Sequence, residues 1–423
     1  MSAHAVVIGG GIAGLLAAHA LAGRFERVTV LERDRYSAGS GGAAPAVRRG
    51  VPQSRCIHLV MGAGSAAFEQ LVPGWSEDAR GRGAAAFDAS NDARLWVSGG
   101  WLPRSASGIT AHACSRALLE DVLRRRLREN AAVEVREGQH VVGLLYSQAG
   151  DRVAGVEMSR RSRGSETTVV ADLVVDASGV GSALPGFLDR LRKGGAWQVD
   201  RTVIKPVTQY VSRWYRLDPA DAPDWHLLSI APKPSAAHRA IMMLRAEQDL
   251  WGVVLLAPAG APLPSDDATV LEFAAALGDG ELPAVLARAR PVSEIHRYGH
   301  IANRLMHYER VPDWPAGLVA LGDSVCALDP YFGLGMTLAA RGAVLLGDHL
   351  DRASNGALAA LAFQKDLASL NSEPWRLATG CDPDGRPLGR DETVLGDLCA
   401  TAVSSPEKAR ALLAAQHLLR PAP

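Results

Sequence analysis

Gly9-x-Gly11-x-x-Gly14 lies between a short apolar strand, Ala5–Ile8, and an alanine-rich helical stretch, Ile12–Leu21. Glycines at this spacing permit a tight turn and let free backbone N–H groups and the positive end of a helix approach a diphosphate. Ile12 and Ala13 complete the turn. Glu32 ends the next strand, Val28–Leu31, where a carboxylate can accept hydrogen bonds from both hydroxyls of an adenosine ribose. Strand, glycine turn, helix and acidic residue together point to a bound dinucleotide, without separating NAD from FAD.

A second loop near the other end of the chain makes that distinction. Leu318–Leu321 reads as a buried strand running into Gly322-Asp323, and Asp329-Pro330-Tyr-Phe-Gly333-Leu-Gly335-Met336 then opens a helix, Met336–Leu350. A carboxylate at a strand end can bind a sugar-chain hydroxyl. Backbone N–H groups at Gly333 and Gly335, at a helix start, can stabilise negative charge near N1 and the C2 carbonyl of a reduced flavin. A third segment, Asp172 to Gly179, is a strand ending in small residues (Ala177, Ser178, Gly179) that allow close approach of a ligand. A dehydrogenase using only NAD(P) would leave the Gly322-Asp323 loop without a ligand.

The intervening elements must bring these loops together. Ser115–Leu127 is amphipathic, with Leu118, Leu119, Val122, Leu123 and Leu127 on one side. Val133–Arg136, Val141–Tyr146, Val153–Met158 and Thr167–Val170 read as strands, with a turn at Gln148–Asp151; Ala38–Gly50 is a glycine-dense loop. From about Gly195 to Ile301 the pattern changes to sheet with proline-rich connections, notably Arg201–Leu217 and Arg239–Leu256. The expected organisation is an FAD-binding domain over 1–194 and 302–352, a substrate domain over 195–301, and a helical C-terminal region over 353–423. The fold class is α/β (α+β overall): a Rossmann-type domain with an inserted antiparallel sheet. The stretch Lys408–Leu419 is mildly amphipathic and can pack as a terminal helix or touch a membrane surface.

Composition narrows the function classes. Lys+Arg and Asp+Glu are both 45, and no basic stripe follows a predicted face, which argues against nucleic acid as a partner. Five scattered cysteines without a Cys-x-x-Cys suit free thiols in a reducing compartment. With no signal-peptide pattern and no run long enough to span a bilayer, the expectation is a cytoplasmic protein without a transmembrane segment. His296, His300 and His307 have no carboxylate or cysteine at ligand spacing, so no metal site is expected.

The set Val7 to Gly14, Asp172 to Gly179, and Gly322-Asp323 through Met336 resembles the FAD-dependent monooxygenases of the para-hydroxybenzoate-hydroxylase fold. Arg49-Gly-Val-Pro-Gln53 with His58, Tyr308 to Pro315, and Glu373 to Thr379 look like the bacterial subgroup that includes polyether alkene epoxidases. The resemblance spans nearly the whole chain. It implies Arg33 beside adenine, Val141 contacting adenine through its backbone, and Arg116 reaching the pyrophosphate or ribityl chain. Arg49, Gly322, Asp323 and Pro330 join the cofactor set, with Gly335 and Met336 against the isoalloxazine ring. Gln53 and His58 are the polar residues placed nearest the flavin, His58 with the alternative of a structural histidine.

The resemblance further implies epoxidation or hydroxylation of an apolar small molecule, a natural-product intermediate, through a flavin C4a-hydroperoxide. Electrons would come from NAD(P)H or a partner reductase, with O2 as co-substrate. The same fold resemblance reaches non-oxygenating flavoproteins (ene-reductases and cyclases) and a non-catalytic FAD scaffold. Leu328-Asp329 and Leu334 stand where the subgroup commonly has Phe-Asn and Gln, which bears on substrate chemistry more than on FAD. Tyr210, Trp214, Tyr215 and Trp251 are placed either in a substrate pocket or in the core.

Overall fold

The structure, a computed structural model, describes residues 3–36, 44–97, 100–147, 152–159, 167–190, 199–205, 208–233, 237–298, 302–353, 358–389 and 396–419. The expected turn at Gln148–Asp151, His300 and part of the Ala38–Gly50 loop lie outside these residues. Five strands form a parallel sheet in the order Leu318–Ala320, Leu173–Asp176, His4–Ile8, Arg27–Glu32, Val133–Glu137. Parallel strands covered on both faces are apolar throughout, and His4–Ile8 and Leu173–Asp176 are buried at every residue. The two glycine loops therefore leave carboxyl ends of the same sheet, and Asp176 ends the strand lying between them. The antiparallel strands Val141–Tyr146, Val153–Met158 and Thr168–Val170 form a meander beside it.

The second large sheet carries the expected antiparallel strands. Thr208–Arg216, Leu250–Pro258, Arg239–Arg245 and Leu227–Lys233 pair in that order. It also takes in Ala93–Val97 and Gly100–Trp101, from outside the 195–301 segment, with Ala93–Val97 running parallel to Leu227–Lys233. Arg201–Ile204, read as part of this sheet, pairs instead with Asn303–Met306.

These strands are apolar on both faces, and alternation assigns each face a role. Leu228, Ile230, Ile241, Met243, Val253 and Leu255 pack beneath helices Asp267–Ala275 and Glu281–Arg288 through Val270, Phe273, Leu282 and Val285. Their neighbours Leu227, Ser229, Met242, Leu244, Val254 and Leu256 line a cavity. Trp214, Tyr215 and Trp251 are packing residues: Tyr215 and Trp251 belong to the helix-covered core, and Trp214 packs with Ala246 and Leu250 and donates to the Arg55 carbonyl at 2.8 Å. Tyr210, of the four, reaches the cavity.

The C-terminal stretch folds back over the molecule. Helix Pro406–Gln416 buries Ala409, Leu412 and Leu413 against Leu102, Ala89 and Ile109, so its apolar face is occupied by packing. No described helix is long and apolar enough to cross a membrane.

Candidate functional site

A cavity of about 1870 Å³ runs from the first glycine loop, past the second, to the inner face of the antiparallel sheet. Pockets for single small ligands usually span about 300–1,000 Å³, so this one has room for a dinucleotide and a second molecule.

At one end, Gly9 adopts φ +98°, and a Cβ there would lie 2.6 Å from the Ala177 carbonyl oxygen. Gly14 faces away from the cavity; a Cβ on it would sit 1.8 Å from the Gly9 carbonyl oxygen, so its role is to let the helix Ile12–Leu21 lie against the strand. Gly11 caps that helix without a side-chain acceptor, and Gly9, Gly11, Ile12 and Ala13 line the cavity. The first-turn N–H groups thus remain available to an anion. Glu32 also lines it, held by the N–H groups of Gly10 at 2.7 Å and Asp34 at 2.8 Å. Arg33 and Val141 lie on the same wall.

The arginine expected here is displaced by one position. Arg49 is exposed and lies off the cavity wall, whereas Arg48 is buried and lines it. Arg48 pairs with Glu32 at 2.9 Å and Glu120 at 2.6 Å, its guanidinium stacked over Tyr36. In an irregular loop no periodicity indicates which of two adjacent arginines turns inward.

Midway, the two loops meet. Gly322, at φ +68°, would place a Cβ 2.6 Å from Ala13 Cβ, so its contribution is close packing of one loop on the other's helix; it does not line the cavity. Asp323 follows it onto the cavity wall, where its carboxylate has no hydrogen-bond donor among the described residues. Burial raises its pKa, opposed by the charges of Arg116 and Arg304. Arg116 faces the cavity and is steadied by Glu120 at 2.7 Å. Arg304, unremarkable in the sequence, donates to the Val180 carbonyl at 2.7 Å and leaves a buried Nε without a partner. Ala177 and Gly179 complete this stretch of wall.

At the far loop, Pro330, Gly333, Leu334, Gly335 and Met336 line the cavity. Gly333 has φ +65° and would bring a Cβ within 3.3 Å of Met61 Sδ. The helix Gly335–Arg352 starts here without a side-chain cap, its N-terminus toward the cavity. Leu328 and Leu334 face in. Asp329 does not: it is buried and accepts from the Tyr210 hydroxyl, from Thr208 Oγ1 at 3.2 Å and from the Tyr331 N–H at 3.0 Å.

Gln53, on a 3-10 turn, and His58, on strand Ile57–Val60, also reach the cavity. Burial, with Arg116 nearby, lowers the His58 pKa to about 3, so the ring is neutral near pH 7. Its Nδ1–H donates to the Cys56 carbonyl at 3.1 Å. Sequence reasoning missed Leu413, Gln416 and His417, which close the wall from the C-terminus.

This geometry offers an elongated cavity with a helix start at each end, at Gly9–Gly14 and at Pro330–Met336. Residues 5–231, more than half of the chain, match the family model described as FAD dependent oxidoreductase. The chain belongs to the FAD dependent oxidoreductase family. Protein Rv3254 of Mycobacterium tuberculosis (strain ATCC 25618 / H37Rv) is 31% identical to this oxidoreductase over 371 residues, covering 83% of the chain and 72% of that protein.

Among solved structures, the oxidoreductase is similar in fold to the tetrameric form of 2-methyl-3-hydroxypyridine-5-carboxylic acid oxygenase (TM-score 0.67, 17% identity, 99% and 98% of the two chains). It is also similar to a triple mutant of the flavin-dependent brominase Bmp2 (TM-score 0.66, 18% identity, 97% and 94%). A third likeness is to Pseudomonas aeruginosa PqsL in complex with 2-aminobenzoylacetate (TM-score 0.62, 18% identity, 97% and 99%). The fit to FAD rests on this chain's own residues: two uncapped helix starts facing one cavity, and an unpartnered carboxylate, Asp323, between them.

Proposed function

We propose that this oxidoreductase is a monooxygenase that places one atom of O2 into an apolar small molecule by epoxidation or hydroxylation. NAD(P)H or a partner reductase would supply the electrons. The observation that carries the reading is the continuity of the cavity: past the Gly333 loop it opens into a chamber walled by Leu59, Phe87, Leu227, Met242, Leu244 and Leu256. A second molecule seated there would lie against whatever the Gly333 loop holds.

FAD, when bound, supplies the redox chemistry, passing electrons from the reductant to O2. Gly9–Gly14 and Arg116 would hold the diphosphate, Glu32 the ribose, Asp323 the ribityl chain, and the N–H groups from Gly333 to Met336 the ring. The chamber's apolar walls would exclude water and orient the substrate. His58 is neutral with its Nδ1–H engaged, so it presents only the Nε2 lone pair, and burial, which lowers its pKa to about 3, makes that nitrogen a weak base. That suits an alkene, which needs no deprotonation to accept oxygen, and supports the epoxidase-like reading over a phenol hydroxylase. Leu328 and Leu334 make the wall beside the ring more apolar.

The test is NADPH oxidation and O2 uptake by the yellow, FAD-loaded protein, with and without a panel of apolar alkenes and aromatics. Substrate-stimulated, oxygen-dependent oxidation with an oxygenated product supports the proposal. Product formed without reductant while the flavin stays oxidised would replace it with a cyclase.

A further inference from the structure

His417 lies at the C-terminal end of helix Pro406–Gln416, about 355 residues along the chain from the loop it touches. Its Nδ1 accepts the Gly62 N–H at 2.9 Å, and its carbonyl accepts the Ala63 N–H at 3.1 Å, so it caps the helix Gly62–Leu71. A ring nitrogen that accepts from a backbone N–H carries no proton, so the proton of a neutral imidazole must sit on Nε2. Burial lowers the His417 pKa to about 4, which keeps the ring neutral near pH 7. Only 4% of the residue is exposed, it lines the cavity, and Nε2 has no hydrogen-bond partner among the described residues.

Neighbouring residues place it. Leu413, one turn back, packs with Ala89, Ile109 and Leu95 on the chamber side. Leu418, the next residue, packs with Met61, Leu328 and Leu334 at the Gly333 loop. His417 therefore stands where the apolar chamber meets the ring end, and its fixed N–H is a polar group in a wall of leucines. A donor on the cavity wall that a ligand covers and leaves unmatched is costly, so a well-fitting ligand presents an acceptor to it. His58, held by the Cys56 carbonyl in the opposite tautomer, presents an acceptor and cannot substitute.

We infer that His417 is a substrate-binding residue whose locked Nε2–H selects apolar molecules carrying a carbonyl oxygen over the matching molecule without it. This rests on the apolar-substrate reading of the chamber.

The probes are xanthone and xanthene, which share a tricyclic shape and ether oxygen and differ in a carbonyl. Each is titrated into the FAD-loaded protein and followed by the perturbation of the flavin spectrum. The natural protein binds xanthone roughly three- to tenfold more tightly, the worth of one neutral hydrogen bond. His417→Asn places an amide oxygen where Nδ1 stands and keeps the Gly62 cap, but nothing reaches the Nε2 position. It retains FAD and its melting midpoint while losing the preference. His417→Gln, whose amide nitrogen reaches that position, recovers it. Equal binding of both probes by the natural protein, or an undiminished preference in His417→Asn, overturns the inference and leaves the apolar chamber standing. Failure of both probes to bind overturns the chamber reading together with it.

Discussion

Replacing Arg48 with Met removes a cation from between two buried carboxylates while keeping most of the side chain's volume. Arg48 is 7% exposed, and its partners Glu32 and Glu120 are 4% and 2% exposed. Glu120 retains Arg116 at 2.7 Å, but among the described residues Glu32 keeps only the backbone N–H groups of Gly10 and Asp34. Removing one partner of a buried ion pair costs about 3–5 kcal/mol. An unfolding entropy of about 2.1 cal/mol/K per residue gives about 0.9 kcal/mol/K for a chain of this length, so the melting midpoint falls by about 3–6 °C.

The loss has a pH signature. Burial raises the Glu120 pKa, but Arg116 and Arg48 outweigh it and leave it below the ordinary 4.5. A depressed carboxylate contributes stability that is complete above its unfolded pKa and is lost as pH falls through the folded one. The gap between natural protein and Arg48→Met is therefore fullest at neutral pH and narrows as pH falls, because the variant's buried carboxylates take up protons before the natural protein's do. Scanning calorimetry of the FAD-loaded proteins at pH 7, 5 and 4 reads both effects. A midpoint within 1 °C of the natural protein's at pH 7, or a gap that widens in acid, would refute the reasoning, as would Arg49→Met proving the more damaging of the two.

Two further substitutions address the loops. Gly14→Ala sets a Cβ 1.8 Å from the Gly9 carbonyl oxygen, a backbone atom that cannot swing aside, so the protein is expected to lose FAD and much of its stability; a yellow protein of normal melting behaviour would show that the turn relaxes freely. Asp323→Ala removes the unpartnered carboxylate beside Gly335 without disturbing a hydrogen bond among the described residues, so FAD affinity falls about tenfold or more, the worth of a hydrogen bond to a charged group, while apoprotein stability holds or rises; fluorescence titration with FAD and a melt of the apoprotein read the two effects separately.

Local rules carried a large part of the cofactor end. Gly9, Gly11, Gly14 and Glu32 are legible because a tight strand-to-helix turn and a strand-end carboxylate leave a short-range pattern, and Asp323 with Gly333 and Gly335 repeats that logic. The pattern names residues more readily than roles: Gly14 and Gly322 serve close packing, and Arg48 occupies the place read for Arg49. The chamber was less legible. Strand Leu250–Pro258 is apolar on both faces, which signals that both are covered, but only the packing of Val270 and Phe273 decides which face is core and which is cavity. Leu413 and His417 were invisible for a different reason. Amphipathicity announces that a helix has a face to bury, and nothing local to Pro406–Gln416 says that it docks at Gly62.

Binding of FAD and of fragments that each carry one of its ends measures most directly whether one molecule spans both loops. Calorimetry of the apoprotein with FAD, ADP and FMN should give one FAD per chain, bound at least about a hundredfold more tightly than either fragment, because the second contact is made within an already bound molecule. ADP and FMN should each be displaced by FAD. An FAD affinity no better than that of ADP would mean that the Gly333 loop holds no part of the ligand, and the assigned chemistry would fall with it.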